Sequence, residues 1–124
     1  MKLFVMILSL LVSPAGAHEM TPTYPELKWS HITNVLTAQV VLLNMRSDAE
    51  YYEITVLDED MNNIEFATSE RILNVPYLER KTIDVYIRKS DKDKATYLCS
   101  RSRLRPNQVQ STGIQSRICS KFRK

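Results

Sequence analysis

The sequence predicts an all-β protein, folded as a single sandwich of about seven strands. Apolar and β-branched residues recur with a period of two along most of the chain, and no long amphipathic helical pattern competes with them. Polar or charged segments, such as 58–63 and 90–94, separate these runs. Short alternating strands joined by polar turns are typical of two packed antiparallel sheets, so we expect a β-sandwich.

Each predicted strand rests on a run of this kind. Segment 35–44 is almost continuously apolar and β-branched, which is typical of a central strand. Segments 52–57 and 83–88 alternate apolar and polar residues, so each is expected to bury one face. The shorter runs are a first strand near Leu27–Ile32, then Ile64–Phe66, Ile72–Val75, Tyr97–Arg103 and Ile114–Phe122.

The first seventeen residues are typical of a secretory signal peptide. Lys2 supplies a positive charge, and residues 3–12 form an apolar run that is too short to span a bilayer. Small residues at Ala15 and Ala17 then favour cleavage after Ala17. We therefore expect residues 1–17 to be a signal peptide and residues 18–124 to be one domain, exported to the periplasm or the extracellular space. No later apolar run is long enough to span a bilayer either, so no transmembrane segment is expected after cleavage.

The charge of the chain is divided between an acidic body and a basic end. Residues 18–98 hold nine Lys or Arg against fourteen Asp or Glu, whereas residues 99–124 hold seven Lys or Arg and no acidic residue. Segregated positive charge favours an anionic partner and says nothing about the fold. The candidate partners are an acidic protein surface, an anionic cell-envelope polysaccharide and the phosphates of lipopolysaccharide. Export makes nucleic acid the least favoured partner.

Both cysteines lie in this basic segment, and in an exported protein we expect them to form one disulfide, Cys99–Cys119, across the last two strands. If the two cysteines face each other on antiparallel strands, Arg101 lies opposite Arg117. Period-two geometry then assigns one face to the core, with Leu98, Leu104, Ile114, Ile118 and Phe122. The opposite face carries the disulfide and the candidate binding residues Tyr97, Arg101, Arg103, Arg117, Lys121 and Arg123.

The chemistry of this hairpin favours binding over catalysis. Like charges directly opposite each other destabilise a strand pair, so Arg101 and Arg117 favour a bound anion or an acidic partner. The chain has no G-x-S-x-G and no H-E-x-x-H motif, and both cysteines are assigned to the disulfide. We therefore expect a non-enzymatic binding or structural module that contacts its partner through the basic hairpin face.

Two protein families share local features of this sequence. The run Asp93-x-Ala95-x-Tyr97-x-Cys99 resembles the tyrosine corner of immunoglobulin-type domains, where the tyrosine precedes the strand-F cysteine by two residues. The family's second cysteine is missing from segment 35–44, so the resemblance implies an immunoglobulin-like topology without the antibody disulfide. The order of the strands also resembles the N-terminal domain of periplasmic pilus chaperones. That resemblance implies a strand-pairing module as an alternative function.

The ends of the expected mature chain resemble a third group. Segments 18–25 and 116–122 are similar to those of small secreted proteins encoded by marine bacteriophages. This resemblance implies a lineage, and it implies no activity.

A copper site is the second functional hypothesis. Cleavage after Ala17 leaves His18 as the first residue, and its amine and imidazole nitrogens suit copper. His31 is the only other histidine of the chain and would supply the third nitrogen. The sequence resembles small exported copper-binding β-sandwiches in this arrangement alone. Apart from this copper alternative, no cofactor is expected.

Overall fold

Two antiparallel sheets face each other in the computed structural model, which describes residues 18–103 and 115–124. The predicted all-β sandwich is therefore confirmed, while the predicted signal peptide lies outside the described residues. Within them no helix is long and apolar enough to cross a membrane. The strands of the described part are β1 (His18–Thr21), β2 (Lys28–Trp29), β3 (Val35–Asn44), β4 (Tyr51–Leu57), β5 (Asn63–Ile64), β6 (Ile72–Asn74), β7 (Arg80–Arg88), β8 (Tyr97–Arg103) and β9 (Arg117–Lys121).

The first sheet is built around β3. Strand β7 pairs along one side of β3, while β1 and β2 pair along its other side. The second sheet has the order β5–β4–β8–β9, and β6 pairs with β4 beside β5. A one-turn 3₁₀ helix, Lys89–Asp91, begins the connection that crosses from β7 to β8. In the described part of the chain, β9 is thus the last strand of the second sheet.

The core follows from the period-two pattern of the sequence. In β4, Tyr52, Ile54 and Val56 are buried, whereas the residues between them are half-buried. Strands β3 and β7 bury alternate residues in the same way, so apolar side chains of the two sheets meet between them. The buried apolar members of these two strands are Leu36, Ala38, Val40, Leu42, Ile83, Val85 and Ile87.

Strand β1 is absent from the sequence prediction. Its sequence, His-Glu-Met-Thr, lacks the β-branched alternation that marks a strand. The strand forms because His18 to Thr21 pair with the last four residues of β3, from Asn44 back to Val41. Tertiary pairing, rather than local preference, therefore determines this element.

Two other short strands end earlier than predicted. Strand β5 stops at Ile64 because the chain then leaves the second sheet, and Ala67 exchanges two backbone hydrogen bonds of 2.9 Å with Tyr86 of β7. Strand β2 is limited to two residues because a turn follows it, closed by the Ser30 amide donating to the Val35 carbonyl at 3.0 Å. Both boundaries depend on contacts between segments that the local pattern does not reveal.

Candidate functional site

The C-terminal hairpin, formed by β8 and β9, carries the candidate binding residues. Cys99 lies opposite Cys119 and the two form a disulfide, with 4.1 Å between their Cα atoms. The predicted bridge and register are therefore confirmed, including the position of Arg101 opposite Arg117. The disulfide ties the last strand of the sheet to its neighbour.

The two faces of the hairpin differ as the alternation predicts, except that Cys99 of the outward face is buried while Cys119 is exposed. On the inner face Leu98 and Phe122 are buried and Ile118 is half-buried. Leu104 and Ile114, also assigned to the core, lie outside the described residues. The outward cations, which we call the basic face, are Arg101, Arg103, Arg117, Lys121 and Arg123, and all are exposed. Tyr97, the sixth candidate, is half-buried, and the binding role of these six residues stays a prediction.

A carboxylate from β4 neutralises part of the basic face. Glu53 lies opposite Arg101, and its Oε1 accepts a hydrogen bond from the Arg101 guanidinium at 3.2 Å. Its Oε2 accepts another from the guanidinium of Arg103. Sequence reasoning missed Glu53, because its place beside the hairpin depends on β4 pairing with β8. The repulsion expected between Arg101 and Arg117 is therefore moderated within the protein itself.

The cations of β9 have fewer counter-charges than those of β8. Within the described residues, neither Arg117 nor Lys121 forms an ion pair. Arg123, just beyond β9, lies 3.6 Å from the carboxylate of Glu26. The unbalanced positive charge thus concentrates on the last strand of the sheet.

The free edge of β9 can be read from the hydrogen-bond alternation of the hairpin. The Phe122 amide donates to the Thr96 carbonyl at 2.9 Å, and the Ser102 amide donates to the Ser116 carbonyl at 2.9 Å. Even-numbered residues of β9 therefore bond to β8, because bonded and non-bonded pairs alternate in an antiparallel ladder. The backbone groups of Arg117, Cys119 and Lys121 point the other way, and no strand of the described part pairs with them.

The N-terminal arm shows that this edge accepts a further strand. The Arg123 amide donates to the Pro25 carbonyl at 2.9 Å, and the Leu27 amide donates to the Arg123 carbonyl at 3.0 Å. This contact makes a parallel bridge between Glu26 and Arg123. It covers the edge beyond the end of β9. Strand β1 also lies close to β9, but no strand of the described part forms a ladder with its five residues on that side.

Part of the interior behind the hairpin is polar, beside the apolar core that contains Leu98 and Phe122. His18 is 3 % exposed, and its Nε2 lies 2.7 Å from the Ser100 hydroxyl. Its Nδ1 lies 3.3 Å from the Ser116 hydroxyl, and its ring packs 4.6 Å from that of Tyr52. The Arg46 guanidinium donates to the hydroxyls of Ser102 and Ser116 at 3.2 and 3.3 Å. We call His18, Arg46, Ser100, Ser102 and Ser116 the polar layer.

Burial sets the ionisation of the polar layer. Burial, which removes hydration, is the main reason that the pKa of His18 falls from 6.5 to about 4. A hydrogen bond with the Ser100 carbonyl opposes this fall, and the positive charge of Arg46 adds to it. Burial likewise raises the pKa of Tyr52 to about 12. The hydrogen bond from Arg46 lowers the pKa of Asp48 and keeps that carboxylate charged. His18 is therefore neutral at physiological pH, as a buried histidine without an acidic partner must be.

The two histidines of the copper hypothesis lie at opposite ends of β3. His18 pairs with Asn44, whereas His31 is exposed in the turn before Val35. A ten-residue strand is about 30 Å long, so the two imidazoles do not share a site in this arrangement. Within the described residues, no three His, Cys, Asp or Glu side chains form a group that could hold a metal ion. A copper site shared by the two histidines therefore has no supporting geometry here.

No protein-family model and no curated protein matches the chain. Solved structures do match it. The E. coli chaperone DraB superposes with a TM-score of 0.60 and 11 % identity over 86 % of this chain and 53 % of that chain. A chain from the complex of the Salmonella enterica SafA pilin with the SafB chaperone superposes with a TM-score of 0.59 and 11 % identity, over 86 % and 52 %. The protein spans about half the length of these chains. The likeness confirms an immunoglobulin-like, pilus-chaperone-like fold, while the resemblance to phage-encoded proteins stays a prediction.

Proposed function

We propose that this protein is an exported, non-enzymatic binding module that pairs the free edge of β9 with an extended acidic segment of a partner protein. The observation that carries the proposal is the row of backbone groups at Arg117, Cys119 and Lys121, which point outward with no strand of the described part beyond them. Strand addition at such an edge gives affinity through main-chain hydrogen bonds. The Cys99–Cys119 bridge holds the edge in place, and export supplies the oxidising setting that this bridge needs.

The cations of β9 select the kind of strand that can pair. A partner strand places alternate side chains beside Arg117 and Lys121, and opposite charges across a strand pair are favourable. A second copy of the same edge brings cations against these cations, which disfavours self-pairing. The charge pattern thus favours a different chain with acidic residues at alternate positions.

The comparisons support a role in protein binding. The matched structures are those of the chaperone DraB and of a chaperone in complex with a pilin. At 11 % identity this likeness supports the fold alone. Strand pairing by this protein is inferred from the free edge of β9. A purely electrostatic contact of the basic face with an anionic envelope surface is the second candidate, favoured by the exposed Arg117 and Lys121.

The test compares Lys121→Pro with Lys121→Ala. Both remove the same charge, but proline also removes the outward amide and puts its ring in the path of an incoming strand. Because the Lys121 amide does not bond to β8, the hairpin keeps its own ladder, and proline is tolerated at such edge positions. The probe is an eight-residue peptide that alternates Glu and Val, with a Lys and Val peptide as its control.

Binding is followed by amide hydrogen exchange and by titration in NMR spectra. We expect the Glu-Val peptide to slow exchange at Arg117, Cys119 and Lys121, and the Lys-Val peptide to leave it unchanged. Lys121→Pro should weaken binding about tenfold more than Lys121→Ala, since it loses a backbone hydrogen bond and adds a clash. Equal affinities of the two variants for the Glu-Val peptide would contradict strand pairing and favour the electrostatic contact of the basic face. No protection with either peptide contradicts the proposal.

A further inference from the structure

Trp29, the only tryptophan of the chain, is 55 % exposed at one end of the sandwich. It pairs with Leu36 at the start of β3, beside the connection that leaves β7. That connection brings two ammonium groups to the indole: Nζ of Lys89 lies 5.9 Å and Nζ of Lys92 5.7 Å from the ring centroid. An exposed indole and two positive charges therefore meet at one place, and both ammonium groups lie just within the range of about 6 Å for a cation–π contact.

The two ammonium groups lack a counter-charge. The acidic residue between them, Asp91, is bonded to the Arg88 guanidinium at 3.0 and 3.2 Å. Within the described residues, neither Lys89 nor Lys92 forms an ion pair. A cation–π contact at an exposed ring is weak, and two ammonium groups near one ring repel each other. An anion placed between them would balance both charges.

The geometry requires a ligand with an apolar face as well as a negative charge. A pyranose ring presents a face of C–H groups that can lie on the indole, and a carboxylate on the ring can accept charge-assisted hydrogen bonds from both lysines. We propose that Trp29, Lys89 and Lys92 bind a uronic acid residue of an acidic polysaccharide. This proposal does not depend on strand pairing at β9.

The charges around this end of the sandwich favour a narrow chain over a flat membrane. Leu57 pairs with Tyr97, so the turn that holds Asp58, Glu59 and Asp60 lies at the same end as the β7–β8 connection. An anionic bilayer that touched Trp29 would approach these carboxylates too. A single polysaccharide chain can contact the indole and the lysines without approaching these carboxylates.

Because Trp29 is the only tryptophan of the chain, its fluorescence reports binding at this site. We expect trigalacturonate to change the fluorescence of the full-length protein, with neutral maltotriose and phosphatidylglycerol vesicles producing no change. The double variant Lys89→Gln/Lys92→Gln should bind trigalacturonate about tenfold or more weakly, since two charge-assisted hydrogen bonds are lost. The matched control Arg80→Gln/Lys81→Gln removes the same charge from the start of β7, which pairs with the end of β3 far from Trp29, and should bind as the unchanged protein does.

Calorimetry gives a readout that does not depend on the tryptophan. Trp29→Ala should lose the heat of trigalacturonate binding while its far-ultraviolet circular dichroism stays that of a β protein. If Trp29→Ala does not fold, the variant Lys89→Gln/Lys92→Gln still tests the proposal, because both lysine side chains are outside the core. Equal binding of maltotriose, preference for the vesicles, absence of any binding, or an equal loss in the Arg80→Gln/Lys81→Gln control would each overturn the proposal.

Discussion

Lowering the pH should destabilise the protein through His18. The imidazole is 3 % exposed and faces two serine hydroxyls, the Tyr52 ring and the positive charge of Arg46. The Ser100 carbonyl favours the protonated ring, but the loss of hydration on burial outweighs it. The folded state therefore holds His18 neutral, whereas the unfolded chain lets it take a proton near its ordinary pKa of 6.5.

The size of the effect follows from the two pKa values. Folding lowers the pKa of His18 from 6.5 to about 4, and each unit corresponds to about 1.4 kcal/mol at room temperature. Because the unfolded state binds more protons, the contribution of His18 is fully present above pH 6.5 and falls as the pH drops toward 4. The loss approaches about 3 kcal/mol, a large part of the stability of a small domain.

Urea denaturation at pH 7, 5.5 and 4 measures this loss. Carboxylates also take up protons in this range, so the unchanged protein is compared with His18→Asn, whose side chain cannot take the proton. Between pH 7 and 4 the free energy of unfolding of His18→Asn should fall by about 3 kcal/mol less than that of the unchanged protein. His31→Asn is the matched control, because His31 is exposed, and it should follow the unchanged protein. Parallel pH curves for His18→Asn and the unchanged protein would refute the reasoning, whatever the variant's stability at pH 7.

Two further changes test the hairpin. Replacing both Cys99 and Cys119 by alanine opens a loop with a sequence separation of 20 residues and should lower the free energy of unfolding by about 3 kcal/mol, measured in urea; an unchanged midpoint contradicts the loop-closure argument. Glu53→Gln should cost about 1 kcal/mol or less, since the ion pairs are partly exposed, and the loss should shrink when Arg101→Gln is added. The same Glu53 variant should bind the Glu-Val peptide more tightly, because Arg101 is then unneutralised, and weaker binding would argue against an acidic partner.

Period-two patterning and the cysteine pair were sufficient to predict the hairpin. Once Cys99 faces Cys119, each neighbouring residue is assigned to a face, and the described residues follow that assignment except Cys99, which is buried on the outward face. The length of β3 was predictable for a similar reason, since its ten residues are apolar or β-branched almost throughout. These features depend on the local pattern of residues and on one disulfide, and both can be inferred from the sequence.

The parts that sequence reasoning missed depend on which strands become neighbours. Glu53 reaches Arg101 across 48 positions of the chain, and only the pairing of β4 with β8 brings them together. His18 drew attention as an expected chain terminus, yet its burial follows from β1 pairing with β3 and from serines of the second sheet. A histidine beside serines carries no local pattern that distinguishes a buried polar contact from a metal ligand.

If β9 pairs with a partner strand as proposed, its edge should give selective rather than tight binding. Three outward residues offer a few backbone hydrogen bonds, each contributing about 1 kcal/mol net, and two cations add cross-strand pairs of at most about 1 kcal/mol each. Association costs at least about 4 kcal/mol before any surplus appears as affinity. A short acidic strand alone should therefore bind weakly, and a physiological partner needs further contacts. The row Glu53, Arg101, Arg117 runs across three strands of the sheet and ends in a cation without a neighbour in the described part. An acidic residue on a fourth strand would complete the row, which is why charge, rather than area, should decide which strand is accepted.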